Sequence, residues 1–377
     1  MDHKRGGKIL STTPIVQFGT SRFLQAHAAL FISQALQAGE GLGPVTVVQS
    51  SGDPARAGRV SALAKGYDVR IRGLEDGEAV DRVARVSSIA RGLSLAGDQA
   101  EVTRILTEEA LIVISNVSEA GLMRRPADRS PGYDAAMSYP AKLAHLLRAR
   151  YEAGMGPLQM MPTELVRDNG RVLRDLVLEA AGGMEADYRR WLGEEVVWVN
   201  SLVDRIVSEP IEPAGAVAEP YALWAIEDRP DLVLPCRHAA IDVVADLGPI
   251  ERRKLFILNL GHTVMVSQWL KRRRQGPQLV REVMAEAAMS RELAALYAEE
   301  VLPGFAAGGE GEGAEAYVAI TLERFANPYL DHRLADIAQN HAEKLDRRIG
   351  AFLDWARTNG DGSAKPRLEA AMKERSS

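Results

Sequence analysis

A lysine, an asparagine and a histidine share one apolar run, Lys254-Leu-Phe-Ile-Leu-Asn259-Leu-Gly-His262. Burying three polar groups is unfavourable unless each has a partner or a task. On an α-helix, Asn259 lies about 140° and His262 about 80° around the axis from Lys254, so all three can line one side of a pocket. An uncharged lysine accepts a proton, an amide donates to an oxygen, and an imidazole does either. Together they are equipment for moving a proton on and off an alcohol. A single histidine in such a helix reads as a packed core residue. Three polar groups at this spacing point to a site, with Lys254 as the base.

Further candidates lie at turns. Phe18-Gly19-Thr20-Ser21-Arg22-Phe23 follows an apolar run and opens a helical one. A glycine there permits a tight turn and lets a pyrophosphate approach backbone N–H groups at the helix start. Ser21 and Leu24 stand where G-x-G-x-x-G would have its second and third glycines, so an ordinary strand-to-helix turn is the competing reading. Phe18, Gly19, Ser21, Arg22 and Phe23 are the candidate cofactor contacts. Asp53, just after the second strand, would hydrogen-bond an adenosine ribose and repel a 2′-phosphate, whereas Arg56 would welcome one. The balance favours NAD and leaves NADP open. Ser115-Asn116-Val117-Ser118-Glu119 ends another apolar run and turns Asn116, Ser118 and Glu119 towards a cofactor. Asn169, before Gly170, is either a turn residue or a substrate-side amide. Arg324, His332, Asn340 and Lys344 form a last polar set, with Asn340 and Lys344 at i, i+4 on one helix face.

The elements that must position these groups follow from hydrophobic periodicity. Pro14 to Phe18, a helix from Ser21 to Gln37, and Val45 to Val48 open an α/β domain. Tyr67 to Arg72 and Val83 to Ile89, around the Asp76-Gly77 turn, predict an inserted hairpin. Leu111 to Ile114, Leu158 to Met161 and Val196 to Ser201 continue the strands. Pro210, Pro213 and Pro220 mark a joint, after which helical patterns dominate: Glu251 to Arg274, Gln278 to Glu300, Ala314 to Phe325 and His332 to Ala356. The expected fold is therefore α/β: a Rossmann-like domain over residues 1–211 followed by a mostly α-helical domain over 212–377. Gly304 to Gly313 reads as a mobile loop, and the polar tail after Asn359 as loosely held.

Of the 377 residues, 46% are hydrophobic and 26% charged, an ordinary globular balance. A formal charge of −5 argues against a general nucleic-acid binder. No run approaches the ~18 apolar residues of a membrane span, and the N-terminus lacks an apolar signal core. One cysteine, Cys236, permits no internal disulfide and fits a cytoplasmic protein. The histidines do not cluster with acids at zinc-like spacing, so no metal is expected.

Seven motifs in order carry a resemblance: Q-F-G-T-S-R-F, S-N-V-S-E-A-G, E-L-V-R-D-N-G, V-D-R-I, E-P-Y-A-L-W, K-L-F-I-L-N-L-G-H and E-R-F-A-N-P. From about Pro14 to Arg348 the chain resembles the polyol-specific long-chain (mannitol) dehydrogenase family, nearest its altronate and mannonate oxidoreductase (tagaturonate reductase-like) branch. The resemblance implies metal-independent, NAD(P)-dependent oxidation of a secondary alcohol. It makes Lys254 the general base, Asn259 and His262 the groups that orient the reacting oxygen, Asn169 a substrate-side amide and Lys344 a substrate-binding cation. Arg324 and His332, of the last polar set, are the further candidate substrate contacts. Asp336 stands where polyol dehydrogenases place an arginine, which turns the reading away from mannitol, and N-V-S-E-A-G and E-L-V-R-D-N-G resemble the members that handle sugar acids. The expected reaction interconverts alcohol and ketone on a sugar acid or polyol of the altronate/tagaturonate or mannonate/fructuronate type. The alternatives are a mannitol or sugar-phosphate dehydrogenase of the same family, and a sensor that binds NAD without turnover.

Overall fold

Ile15-Val-Gln-Phe18, Val45-Thr-Val-Val-Gln49 and Ile112-Val-Ile-Ser115 are buried at every position, the pattern of strands covered on both faces. The computed structural model describes residues 12–51 and 57–373, so Asp53 and Arg56 lie outside the described residues. In chain order the first strands are β1 (Ile15–Phe18), β2 (Val45–Gln49), β3 (Tyr67–Glu75), β4 (Glu78–Val86), β5 (Ile89–Ser94), β6 (Ile112–Ser115), β7 (Gln159–Pro162) and β8 (Val197–Trp198). Six of them make one sheet, ordered β5-β2-β1-β6-β7-β8, with every pair parallel. That is the doubly wound order of dinucleotide-binding domains, with the switch point between β1 and β6.

The expected return strand over Val83 to Ile89 is two strands. β4 pairs in the hairpin, and β5 joins the parallel sheet beside β2. The change of sheet happens at Ser87 and Ser88. The Ser87 N–H donates to Ser33 Oγ (2.9 Å) and the Ser88 hydroxyl to the Ala29 carbonyl (2.8 Å). The Val196 to Ser201 run is likewise split, into β8 and β9 (Ser201–Asp204). Two further sheets follow from β10 (Val207–Pro210), β11 (Gly215–Ala218), β12 (Leu223–Glu227) and β13 (Ile241–Val244): one ordered β10-β11-β3-β4, the other β13-β12-β9.

The chain divides into two compact units, Met1–Arg70 with Val83–Ala218 and Ala222–Ala245, and Asp246–Ser377 with Ile71–Arg82 and Glu219–Tyr221. The main crossing is thus at 245/246 and not at 211/212. Pro210 and Pro213 flank the turn between β10 and β11, and the strands that follow belong to the α/β unit.

The second unit is helical. Its core gathers Phe256, Tyr297, Phe305, Phe352 and Leu368. Gly304 to Gly313, expected as a mobile loop, holds a helix over Leu302–Ala307 and the start of another over Gly311–Phe325. Its glycines serve close packing: a Cβ on Gly304 would sit 2.9 Å from the Phe352 ring and 3.0 Å from Ala356. The tail is docked as well over its described residues, as far as Lys373. Buried Glu300 accepts from the N–H groups of Arg367 and Leu368 (both 3.0 Å), capping the helix Pro366–Lys373. Among the described residues no helix is long and apolar enough to cross a membrane.

Candidate active site

In the α/β unit, the C-terminal ends of β1, β2 and β6 open on a cleft of about 480 Å³ lined by Gly19, Ser21, Asn116 and Ser118, among others. Gly19 has φ +112°, and a Cβ there would stand 2.6 Å from the Asn116 carbonyl oxygen, so both backbone and space require glycine. Ser21 Oγ accepts from the Leu24 N–H (3.2 Å) as a helix cap and donates to Asn116 Oδ1 (3.1 Å). Asn116 Nδ2 donates onward to the Thr163 carbonyl (3.0 Å). Glu164, buried, accepts from the Val117 N–H (2.8 Å) and the Ser115 hydroxyl (3.1 Å). Burial pushes its carboxyl up, and those hydrogen bonds pull the other way. The turns after β1, β6 and β7 are fastened to one another by this network.

Other expected cofactor contacts are engaged elsewhere. The Phe18 ring is fully buried against Tyr139, 5.4 Å between centroids. Arg22 donates to the carbonyls of Ile211 and Gly215 (both 2.9 Å) and pairs with Glu212 (2.6 Å). Phe23 stacks on His27 at 4.7 Å. Glu119 is exposed in the first turn of a short helix. Asn169, expected to hold a substrate hydroxyl, is 3% exposed. Its Nδ2 donates to the carbonyls of Pro162, Glu164 and Ser201 (2.9–3.1 Å), and its Oδ1 accepts from the Ser201 N–H (2.9 Å). It fastens the end of β7 to the start of β9.

In the helical unit, the lysine–asparagine–histidine run is not a plain α-helix. Gly248–Arg253 is α-helical, Lys254–Asn259 is a π turn, and Leu260–Lys271 is α-helical again. The Leu260 N–H reaches the Leu255 carbonyl, five residues back. In such a turn residues i and i+5 close one wide ring, so Lys254 and Asn259 come onto one face instead of standing 140° apart. Burial agrees: Lys254 and Asn259 are half-buried, while Phe256, Ile257 and Leu258 between them are buried. The wide turn is secured from outside. Tyr297 donates its hydroxyl to the Ile257 carbonyl (2.8 Å). Arg348 donates to the Asn259 carbonyl (3.2 Å) and to Thr263 Oγ1 (3.1 Å). The side-chain amide of Asn259 takes no partner among the described residues.

His262 and His332 meet edge to face, 4.8 Å between ring centroids, and Phe325 packs on the His262 ring at 4.6 Å. Burial holds the His332 imidazole below its ordinary value; Asp336 opposes this and Lys344 adds to it. Lys344 donates to the Ile337 carbonyl (2.8 Å), and burial and then Arg348 lower its affinity for a proton. Burial brings Arg348 down to about 10, with Arg347 assisting. Asn340 does not share a helix face with Lys344: it is the left-handed residue (φ 55°) before the helix begins. Arg324 is held by Glu219 in a two-pronged ion pair (2.7 and 3.0 Å) and lies 4.2 Å over the Tyr221 ring.

Sequence reasoning missed Glu164, Tyr297 and Arg348. Glu164 stood inside the E-L-V-R-D-N-G motif, but the turn it holds is 47 residues away. Tyr297 and Arg348 act on carbonyls that only the π turn exposes, and periodicity carries no mark of that turn.

A family model for the mannitol dehydrogenase Rossmann domain matches residues 13–233, and one for the mannitol dehydrogenase C-terminal domain matches 246–365. The chain belongs to the mannitol dehydrogenase family. It is a dehydrogenase acting on CH–OH groups. It is 33% identical over 373 residues to an altronate oxidoreductase of Bacillus subtilis (strain 168), covering 92% of this chain and 76% of that one. An altronate oxidoreductase of Escherichia coli O1:K1 / APEC is 29% identical over 387 residues, covering 95% and 78%. The fold is shared with a D-sorbitol dehydrogenase in substrate-free form (TM-score 0.82, 21% identity, 97% of this chain and 81% of that one). It is shared too with Pseudomonas fluorescens mannitol 2-dehydrogenase, solved as a ternary complex with NAD and D-mannitol (TM-score 0.73, 20% identity, 97% and 79%).

Proposed function

We propose that this dehydrogenase uses NAD to interconvert a secondary alcohol and a ketone on a linear sugar acid, of the altronate/tagaturonate or mannonate/fructuronate type, with Lys254 as general base. The observation that carries the chemistry is the π turn, which brings Lys254 and an uncommitted Asn259 amide to one face of a helix that also bears His262. The relatives named altronate oxidoreductase support the substrate class.

The cleft fits a dinucleotide: a glycine with no room for a Cβ stands at the switch point, before a serine-capped turn. Gly19, Ser21, Asn116 and Ser118 would hold it. Bound there, NAD supplies a hydride acceptor. Lys254 in its uncharged form takes the hydroxyl proton on the lone pair of its amine, which rotation of the side chain can aim at the oxygen. The Asn259 amide donates to that oxygen as negative charge develops, the state in which a preorganised donor matters most. His262 donates to the same oxygen or its neighbour. Lys344, whose proton affinity burial and then Arg348 lower, and Arg348 itself offer the positive charge a carboxylate would seek. His332, against His262, limits the ways that imidazole can turn.

The test is a panel of aldonates and polyols with purified protein, following NADH formation, with NADP run in parallel. Turnover of altronate or mannonate, and weak turnover of mannitol, is expected. Dinucleotide binding with no reduction across the panel would favour a sensor.

A further inference from the structure

Lys142 lies in the wall of the α/β cleft, on the helix Tyr139–Glu152, and only 5% of it is exposed. Its ammonium donates to the Ser50 carbonyl (3.0 Å), just beyond β2. That is one neutral acceptor for three N–H groups. No carboxylate among the described residues stands within ion-pairing distance of it. Burial lowers its proton affinity, and Arg125 lowers it further, while Asp134 and Asp128 act weakly the other way. A buried cation without a counter-charge is expensive, and a native structure keeps one where something else completes its shell. Arg125 and Arg59 line the same cleft. In a doubly wound sheet the end of the second strand is where the adenosine ribose of a dinucleotide sits.

We propose that Lys142 is a cofactor-binding residue whose ammonium, aimed by the Ser50 carbonyl, donates to an oxygen on the adenosine ribose of the dinucleotide. The inference rests on the reading of this cleft as a dinucleotide site. The oxygen is a ribose hydroxyl in NAD or the 2′-phosphate in NADP, and the two are separable by experiment. Pinning by Ser50 matters because a free lysine would lose side-chain entropy on binding, whereas this one is already ordered.

The experiment is calorimetric titration of NAD, NADP and ADP-ribose into the whole protein and into Lys142→Met, with no turnover required. ADP-ribose lacks nicotinamide, so its binding reports the adenosine half alone. Loss of at least about tenfold in affinity for ADP-ribose is expected, the scale of one charge-assisted hydrogen bond. Equal losses for NAD and NADP place the contact at a hydroxyl, and a larger loss for NADP places it at the 2′-phosphate. Lys142→Gln, which keeps a donor for Ser50, guards against misfolding of the methionine variant and should show the same loss. Unchanged affinity for all three ligands in a folded variant overturns the proposal. Failure of the unsubstituted protein to bind any of them overturns the dinucleotide reading instead.

Discussion

The guanidinium of Arg324 and the carboxylate of Glu219, 105 residues apart in sequence, form a two-pronged ion pair in which the side chains are 3% and 2% exposed. Two separate motifs, E-R-F-A-N-P and E-P-Y-A-L-W, are therefore the two halves of one interaction. Removing one partner leaves a buried charge alone. Arg324→Met or Glu219→Gln is expected to destabilise the helical unit by about 3–5 kcal/mol, with the double variant losing less than the sum. Urea unfolding measures this. If Arg324→Met unfolds normally but loses substrate affinity, the arginine returns to the substrate site.

A Cβ on Gly261 would land on the Tyr297 hydroxyl, which holds the Ile257 carbonyl of the π turn. Gly261→Ala should cost about 1–3 kcal/mol from overpacking and lower kcat by disturbing Lys254 and Asn259. Adding Tyr297→Phe removes the colliding oxygen. The double variant should regain part of the stability in thermal melting but not the activity, because the carbonyl then lacks its donor.

Asn259 and Asn169 should behave oppositely. Asn259→Ala removes an amide with no partner among the described residues, so kcat should fall roughly 10²–10³-fold with the unfolding midpoint nearly unchanged. Asn169→Ala breaks four hydrogen bonds to buried backbone, and its main effect should be on stability. Equal stability losses in the two would contradict the division of roles.

Lys254→Ala should lower kcat by about 10²–10⁴-fold, the usual contribution of a positioned base, while calorimetry shows cofactor affinity intact. Comparable turnover would remove Lys254 from the mechanism.

Burial pushes the Glu109 carboxyl up, but Arg91, the Thr13 N–H and Arg104 outweigh it and hold the group at about 2. A carboxyl held below its unfolded value of about 4.3 contributes stability that is complete above that value. The contribution is lost as pH falls through about 2. Glu109→Gln should therefore lower stability at pH 7 and flatten the decline between roughly pH 4 and 2. An unaltered acid profile would show that the network does not act through this proton.

The strands of the parallel sheet were legible because strands covered on both faces must be apolar throughout, and Gly19 was legible because only glycine fits a tight strand-to-helix turn. Arg22 was misleading. Its position suggested a cofactor contact, but the nearest anion in space is Glu212, which the chain brings back 190 residues later. Gly304 to Gly313 misled in the same way, since composition alone does not separate a glycine kept for freedom from one kept for closeness.

By itself the sequence determined the broad layout: the apolar strands of the parallel sheet, a helical second half, and that a lysine, an amide and an imidazole share one helix. Spacing and apolar content are local properties, and they fix local structure. The tertiary structure decided which of the two asparagines has a free amide, which arginine is already neutralised, and that Lys254 and Asn259 face the same way. Those outcomes depend on hydrogen bonds and charges supplied by segments far off in the chain, and no local pattern encodes them.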